Sequence, residues 1–91
     1  MATKEKKKEP VLESVIFLEF PIERDGKKID RVTMRRPKVA DMRVAQASST
    51  TNAEYECTLF TNLCGMTPEE MNQVDQKDYM SMQEAYTAFL A

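Results

Sequence analysis

VIFLEFPIERDGKKIDRVTMRRPKVADM, running from Val15 to Met42, is the stretch whose reading decides the fold. Apolar residues alternate with polar ones on both sides of Arg24-Asp25-Gly26-Lys27, where Asp-Gly is a strong tight-turn signal. The pattern predicts two strands, about 15–22 and 28–36. Arg35-Arg36-Pro37-Lys38 then leads into a helix that begins near Asp41.

Which side chains face inward depends on the turn. A two-residue Asp25-Gly26 turn pairs Arg24 with Lys27. That register sets Ile16, Leu18 and Phe20 opposite Arg35, Thr33 and Arg31, a poor apolar face. A three-residue loop with Gly26 left-handed pairs Glu23 with Lys27 instead. It sets Phe20 opposite Asp30, Leu18 opposite Val32 and Ile16 opposite Met34, so that Ile16, Leu18, Phe20, Ile22, Val32 and Met34 share one face. A one-residue slip reverses every side chain, so burial favours the three-residue loop. Glu19 then faces Arg31 across the outer surface. Pro21, with no N–H for the ladder, indicates an edge or a strand end.

Beyond Pro37 the periodicity becomes helical. Helices are expected at about 39–48, 53–64, 68–74 and 76–90. Asp41 suits the start of the first, and Met42 and Ala45 are expected to face the core. Thr51 or Asn52 caps the second, whose stripe is Ala53, Cys57, Phe60 and Cys64 widened by Leu59 and Leu63, with Gly65 ending it. Thr67-Pro68-Glu69-Glu70 forms a capping box with proline at the first helical position. Asp75 and Asp78 mark the last helix, whose apolar face is Tyr79, Met82, Tyr86, Phe89 and Leu90. The expectation is an α+β fold: an N-terminal β-hairpin packed against three or four short α-helices, in one domain over 14–91. Residues 1–13, Lys-rich and without apolar period, read as a disordered charged tail.

Ninety-one residues support one modest core. No run of about 18 apolar residues exists to span a membrane, and the N-terminus lacks a signal-peptide pattern, which points to the cytoplasm. Net charge is −2, but it is divided: residues 23–43 carry +4 and residues 44–91 carry −6. This is either an internal match between sheet and helices or a basic face for an acidic partner or nucleic acid. Cys57 and Cys64 on one helix lie about 10 Å apart, beyond disulfide reach, and are expected to be reduced core thiols.

No reactive constellation is present. Histidine is absent, the chain has only two glycines, and the acid pairs Glu54/Glu56, Glu69/Glu70 and Asp75/Asp78 sit where helix starts favour carboxylates. The expectation is a protein that is not an enzyme and uses no metal or other cofactor. Nucleic-acid binding has one foothold, a basic hairpin face of Lys28, Arg31, Arg35, Arg36 and Lys38, with Phe17 its lone aromatic.

Two ordered motifs carry a family resemblance. The first is Asp25-Gly26, then Met34-Arg35-Arg36-Pro37, then Val39-Ala40-Asp41-Met42. The second is Leu63-Cys64-Gly65-Met66-Thr67-Pro68-Glu69-Glu70-Met71, followed by Asp78-Tyr79 and Phe89-Leu90. Together they resemble the phage tail assembly chaperones, the tail protein E class of contractile-tailed, Mu-like phages. Arg36 departs from the acidic residue expected before the proline, and the Lys-rich tail is particular to this chain.

The resemblance implies a non-enzymatic role in the host bacterial cytoplasm. Such a protein engages the tape measure protein, helps tail tube subunits polymerise on it, and is absent from the mature virion. Its partners are then the tape measure protein and the tail tube protein, with homo-oligomers possible through free strand edges. The family is often made in two lengths by a ribosomal frameshift. A tape measure segment is a long amphipathic helix, and a groove for it needs adaptable apolar side chains. Met71, Tyr79, Met80, Met82, Tyr86 and Phe89 are the candidates, the other reading being that they fill the core. The alternative function is a small nucleic-acid-binding or regulatory protein that uses the basic hairpin face.

Overall fold

A computed structural model describes residues 9–91. Two antiparallel strands, β1 (Glu13–Arg24) and β2 (Lys27–Arg35), form a hairpin. Four helices follow: α1 (Val39–Ala47), α2 (Asn52–Leu63), α3 (Pro68–Gln73) and α4 (Gln76–Leu90). The architecture is α+β, as the sequence predicts. The N-terminal tail reading falls mostly on residues outside the described ones. Of the rest, the Leu12 carbonyl accepts the Arg36 N–H at 2.8 Å and the Val11 carbonyl accepts from the Arg36 guanidinium at 3.1 Å.

The turn is the two-residue one, which corrects the expected loop. Asp25 (φ 53°) and Gly26 (φ 78°) are both left-handed, and Arg24 pairs with Lys27. That turn has the twist a hairpin needs, and aspartate tolerates the conformation better than most residues. The apolar face is rescued elsewhere. Between Phe17 and Ile22 the pairing is irregular, so β1 spends residues 18–21 where β2 spends only Asp30. The shift is odd, and an odd shift exchanges the two faces. Beyond it Ile16 faces Val32 and Ser14 faces Met34, and Ile16, Leu18, Ile22, Val32 and Met34 are all buried. Phe20, expected in the core, lies in the irregular segment and is 50% exposed. Pro21 sits there too, in a place that demands no ladder donor, and not at a strand end. The expected Glu19–Arg31 pair does not form. Glu19 meets Lys77 at 2.9 Å, while Arg31 bonds Asp30 at 3.0 Å and lies over the Phe17 ring at 5.1 Å.

The helix ends follow local chemistry. The Asp41 carboxylate, in the first turn of α1, accepts the Lys38 N–H at 2.9 Å. Thr51 caps α2 by accepting the Glu54 N–H at 3.1 Å. Gly65 (φ 62°) ends that helix, and Met66 N–H donates back to the Thr61 carbonyl at 2.9 Å. At α3, Thr67 and Glu70 exchange bonds of 3.1 and 3.0 Å behind Pro68. Asp75 caps α4 through the Lys77 N–H at 3.0 Å.

The core is the inner face of the hairpin closed by α2, α3 and α4. Met34, Ala45, Phe60 and Met82 are wholly buried. Phe60 packs between Tyr79 and Tyr86, with ring centroids 5.5 and 5.3 Å away. Two further expectations are corrected. Met42 points outward, because α1 is short and Ala45 alone among its residues is buried. Cys57 is exposed and only Cys64 is a core thiol, because α2 turns Leu59, Phe60 and Leu63 inward and leaves Cys57 at the margin.

Candidate functional site

A short corner, α3 with the start of α4, positions the helical surface. It is fastened to β1 by three side chains. The Asp78 carboxylate accepts the N–H of Glu19 at 2.9 Å and of Phe20 at 3.0 Å. The Gln73 amide accepts the Glu23 N–H at 2.8 Å and donates to the Glu23 carbonyl at 3.2 Å, as a neighbouring strand would. Arg24 and Glu70 form a two-pronged pair at 2.8 and 3.2 Å. Asp78 thus satisfies two donors of β1 where its ladder is broken, and Gln73 bonds the same strand at Glu23, beside the turn. The Arg24 guanidinium, and behind it the Thr67 N–H, hold the Glu70 carboxyl below its usual range.

The six candidate partner residues do not form one stripe. Met71, Met82 and Phe89 are buried in the core. Tyr79 and Tyr86 are half-buried against Phe60. Met80 is 60% exposed on the outer side of α4, beside an open depression lined by Gln83, Glu84, Thr87, Ala88 and Ala91. The structure therefore brings Met71 and Tyr79 to one cleft, sets Met80 on another face, and commits Met82 and Phe89 to packing.

That cleft lies between α2 and the α3–α4 corner. It consists of two depressions of about 200 Å³ and about 320 Å³ that share Cys57, Met71 and Asn72. Met66 and Thr61 line one side, Val74 and Tyr79 the other. Its polar end is built on Glu56, whose Oε1 accepts from the Tyr79 hydroxyl at 2.8 Å and from Gln83 at 3.0 Å. The Cys57 thiol donates to the Tyr79 hydroxyl at 3.6 Å. Burial first, then these hydrogen bonds, raise the Tyr79 phenol above its ordinary range. Burial alone pushes the Cys64 thiol up to about 12.

The basic face is largely engaged within the molecule. Arg35 grips Asp41 with bonds of 2.8 and 2.7 Å, which lowers the Asp41 carboxyl. Arg31 is held by Asp30 and Phe17. Arg36 binds the Val11 carbonyl and lies 5.8 Å over the Phe89 ring. Lys28 and Lys38 are exposed.

Sequence reasoning missed Asp78, Gln73 and Cys57 as surface-shaping residues. Asp78 looked like one more carboxylate at a helix start. The available signal was Pro21: a proline inside a strand implies a broken ladder, and its orphaned donors need an acceptor from elsewhere. Among the described residues no group of three or more His, Cys, Asp or Glu could hold a metal ion, and no helix is long and apolar enough to cross a membrane.

A family model described as "Phage tail assembly chaperone proteins, E, or 41 or 14" matches residues 15–91. No curated protein and no solved structure matches the chain.

Proposed function

The chain belongs to the phage tail assembly chaperone family, and from that premise we propose that it binds the tape measure protein and promotes assembly of the tail tube around it. The match over residues 15–91 carries this reading, since it includes all but the first two residues of the hairpin and all four helices. The protein works by binding, without catalysis, in the cytoplasm of the infected or lysogenic host, and leaves before the virion is complete. Its partners are the tape measure protein, the tail tube protein and further copies of itself. Among the described residues the outer edge of β2 has no strand partner, which suits self-association, while the β1 edge is occupied by Asp78 and Gln73.

Two helical surfaces are open to a partner helix: the outer side of α4 around Met80, and the cleft floored by Met71 and Tyr79. Co-purification of a tape measure fragment with the full chain tests the reading. Wild type retains the fragment, and Met80→Asp weakens retention if α4 contributes to the contact. A fragment set covering the whole tape measure that never co-purifies with wild type refutes the reading.

A further inference from the structure

The outward face of α1 is apolar. Ala45 is the buried residue of this helix, and Val39, Ala40, Arg43, Val44 and Ala47 lie on the opposite side, at i, i+1, i+4, i+5 and i+8. Val39 is 67% exposed and Val44 57%. An exposed helix face is ordinarily polar. This one holds a single charge, Arg43, because Asp41 is turned away onto Arg35. The outer face of α4 is its counterpart. Met80, Glu84, Thr87, Ala88 and Ala91, at i, i+4, i+7, i+8 and i+11, line one open depression in which Glu84 is the sole charged side chain. Neither Arg43 nor Glu84 has an ion-pair partner among the described residues. Both faces are exposed, and α1 leans on α2 while α4 leans on β1, so neither covers the other within one chain.

We infer that α1 of one copy packs on α4 of the next, with Val39 and Val44 beside Met80 and with Arg43 against Glu84. Thr87, Ala88 and Ala91 are small, which lets a second helix come near, and Met80 adapts to what it receives. Charge selects the pairing. Contact of α1 with α1 would set Arg43 on Arg43, and contact of α4 with α4 would set Glu84 on Glu84, whereas α1 on α4 joins opposite charges. The chain as a whole is divided the same way, with +4 over residues 23–43 and −6 over residues 44–91. Two different patches meet, so the contact is heterologous and adds copies head to tail. One short helix on each side lies below the usual size of a stable interface, about 1,200 Å² in total, so the association is weak and grows with concentration. The contact rests on, and deepens, the reading that further copies of the chain are among its partners: it names the two surfaces that meet, apart from any pairing of β2 edges.

The test follows the full chain by sedimentation velocity at rising concentrations up to the millimolar range. Wild type is expected to move towards larger species as concentration rises. Arg43→Glu and Glu84→Lys, both at exposed positions, are each expected to weaken self-association roughly three- to tenfold. Mixed in equal amounts, the two variants should regain it, because opposite charges then meet at every contact. The double variant should regain it alone. A wild type that stays monomeric at every concentration overturns the inference, as do single variants that associate as well as wild type. Association strengthened by either single variant shows like faces in contact and also overturns it, and so does a mixture that stays as weak as its components. A tape measure fragment that co-purifies with a monomeric wild type rejects the contact and leaves the chaperone reading intact. A mixture that recovers, with no tape measure fragment ever bound, keeps the contact and rejects that partner.

Discussion

The carboxylate of Asp78 accepts the backbone N–H of Phe20 at 3.0 Å across 58 positions of sequence. Its other oxygen takes the neighbouring N–H of Glu19. This contact makes the broken strand tolerable. Two donors that left the ladder find an acceptor on α4, and Asp78 is only 2% exposed. The same bonds fix α4, and with it the Tyr79 wall of the cleft.

Asp78→Ala leaves both donors without a partner. An unsatisfied buried donor costs about 1–3 kcal/mol, so the expected loss is roughly 2–3 kcal/mol for this partly buried pair. Asp78→Asn keeps one acceptor and should lose about half as much. Urea denaturation midpoints of the three proteins check the order. An Asp78→Ala midpoint equal to wild type would show that the strand edge is satisfied by water.

Stability should fall in acid through Glu70 and Asp41. Arginine bonds hold both carboxyls below their ordinary values. A depressed folded-state value means stability fully present above the unfolded value and lost as pH falls through the folded one. The decline therefore begins near pH 5 and continues below pH 4. In urea midpoints measured against pH, the Glu70→Gln and Asp41→Asn double variant is expected to show a shallower acid limb.

Tyr79 should resist ionisation while the fold persists. Its phenol is raised by burial and by the Glu56 bond. The unfolded chain gains by deprotonating first, so stability falls as pH rises above about 10. An alkaline titration followed by phenolate absorbance should show a late phase, to which Tyr79 and Tyr86, itself raised by burial, both contribute. Tyr79→Phe should shrink that phase and soften the alkaline loss of stability.

The two thiols should separate cleanly. Cys57 is exposed, whereas Cys64 is buried and its thiol is pushed up to about 12. At pH 8 a thiol reagent is expected to label Cys57 within minutes and Cys64 only on unfolding. Peptide mapping of the modified protein distinguishes them. Equal labelling of both under native conditions would contradict the burial of the α2 C-terminus.

Signals that act within a few residues were legible in the chain. Asp25-Gly26 marks the hairpin, Thr67-Pro68-Glu69-Glu70 starts α3 with both bonds of its capping box, and Gly65 ends α2 in the left-handed conformation. Each depends on local backbone geometry and one side chain. The period of the apolar residues likewise places four helices and names Ile16, Leu18, Val32, Met34, Phe60 and Met82 for burial. Family membership was legible for the same reason, since its motifs are these caps and turns in order.

Pairing register and surface required the tertiary structure. From the sequence, burial of the apolar face favoured a three-residue loop over the two-residue turn; the structure instead keeps the two-residue turn and breaks the pairing in mid-strand. The break is satisfied by Asp78, whose carboxylate reaches Glu19 and Phe20 from a helix 59 and 58 positions away. Burial of Met82 and exposure of Met80 also depend on which side of α4 meets Phe60 and the sheet. The sequence by itself determined the elements, their ends and the family, because those follow from local chemistry. Only the tertiary structure decided the strand break, the engaged basic face and the cleft beside α2, because each depends on which distant groups are brought together.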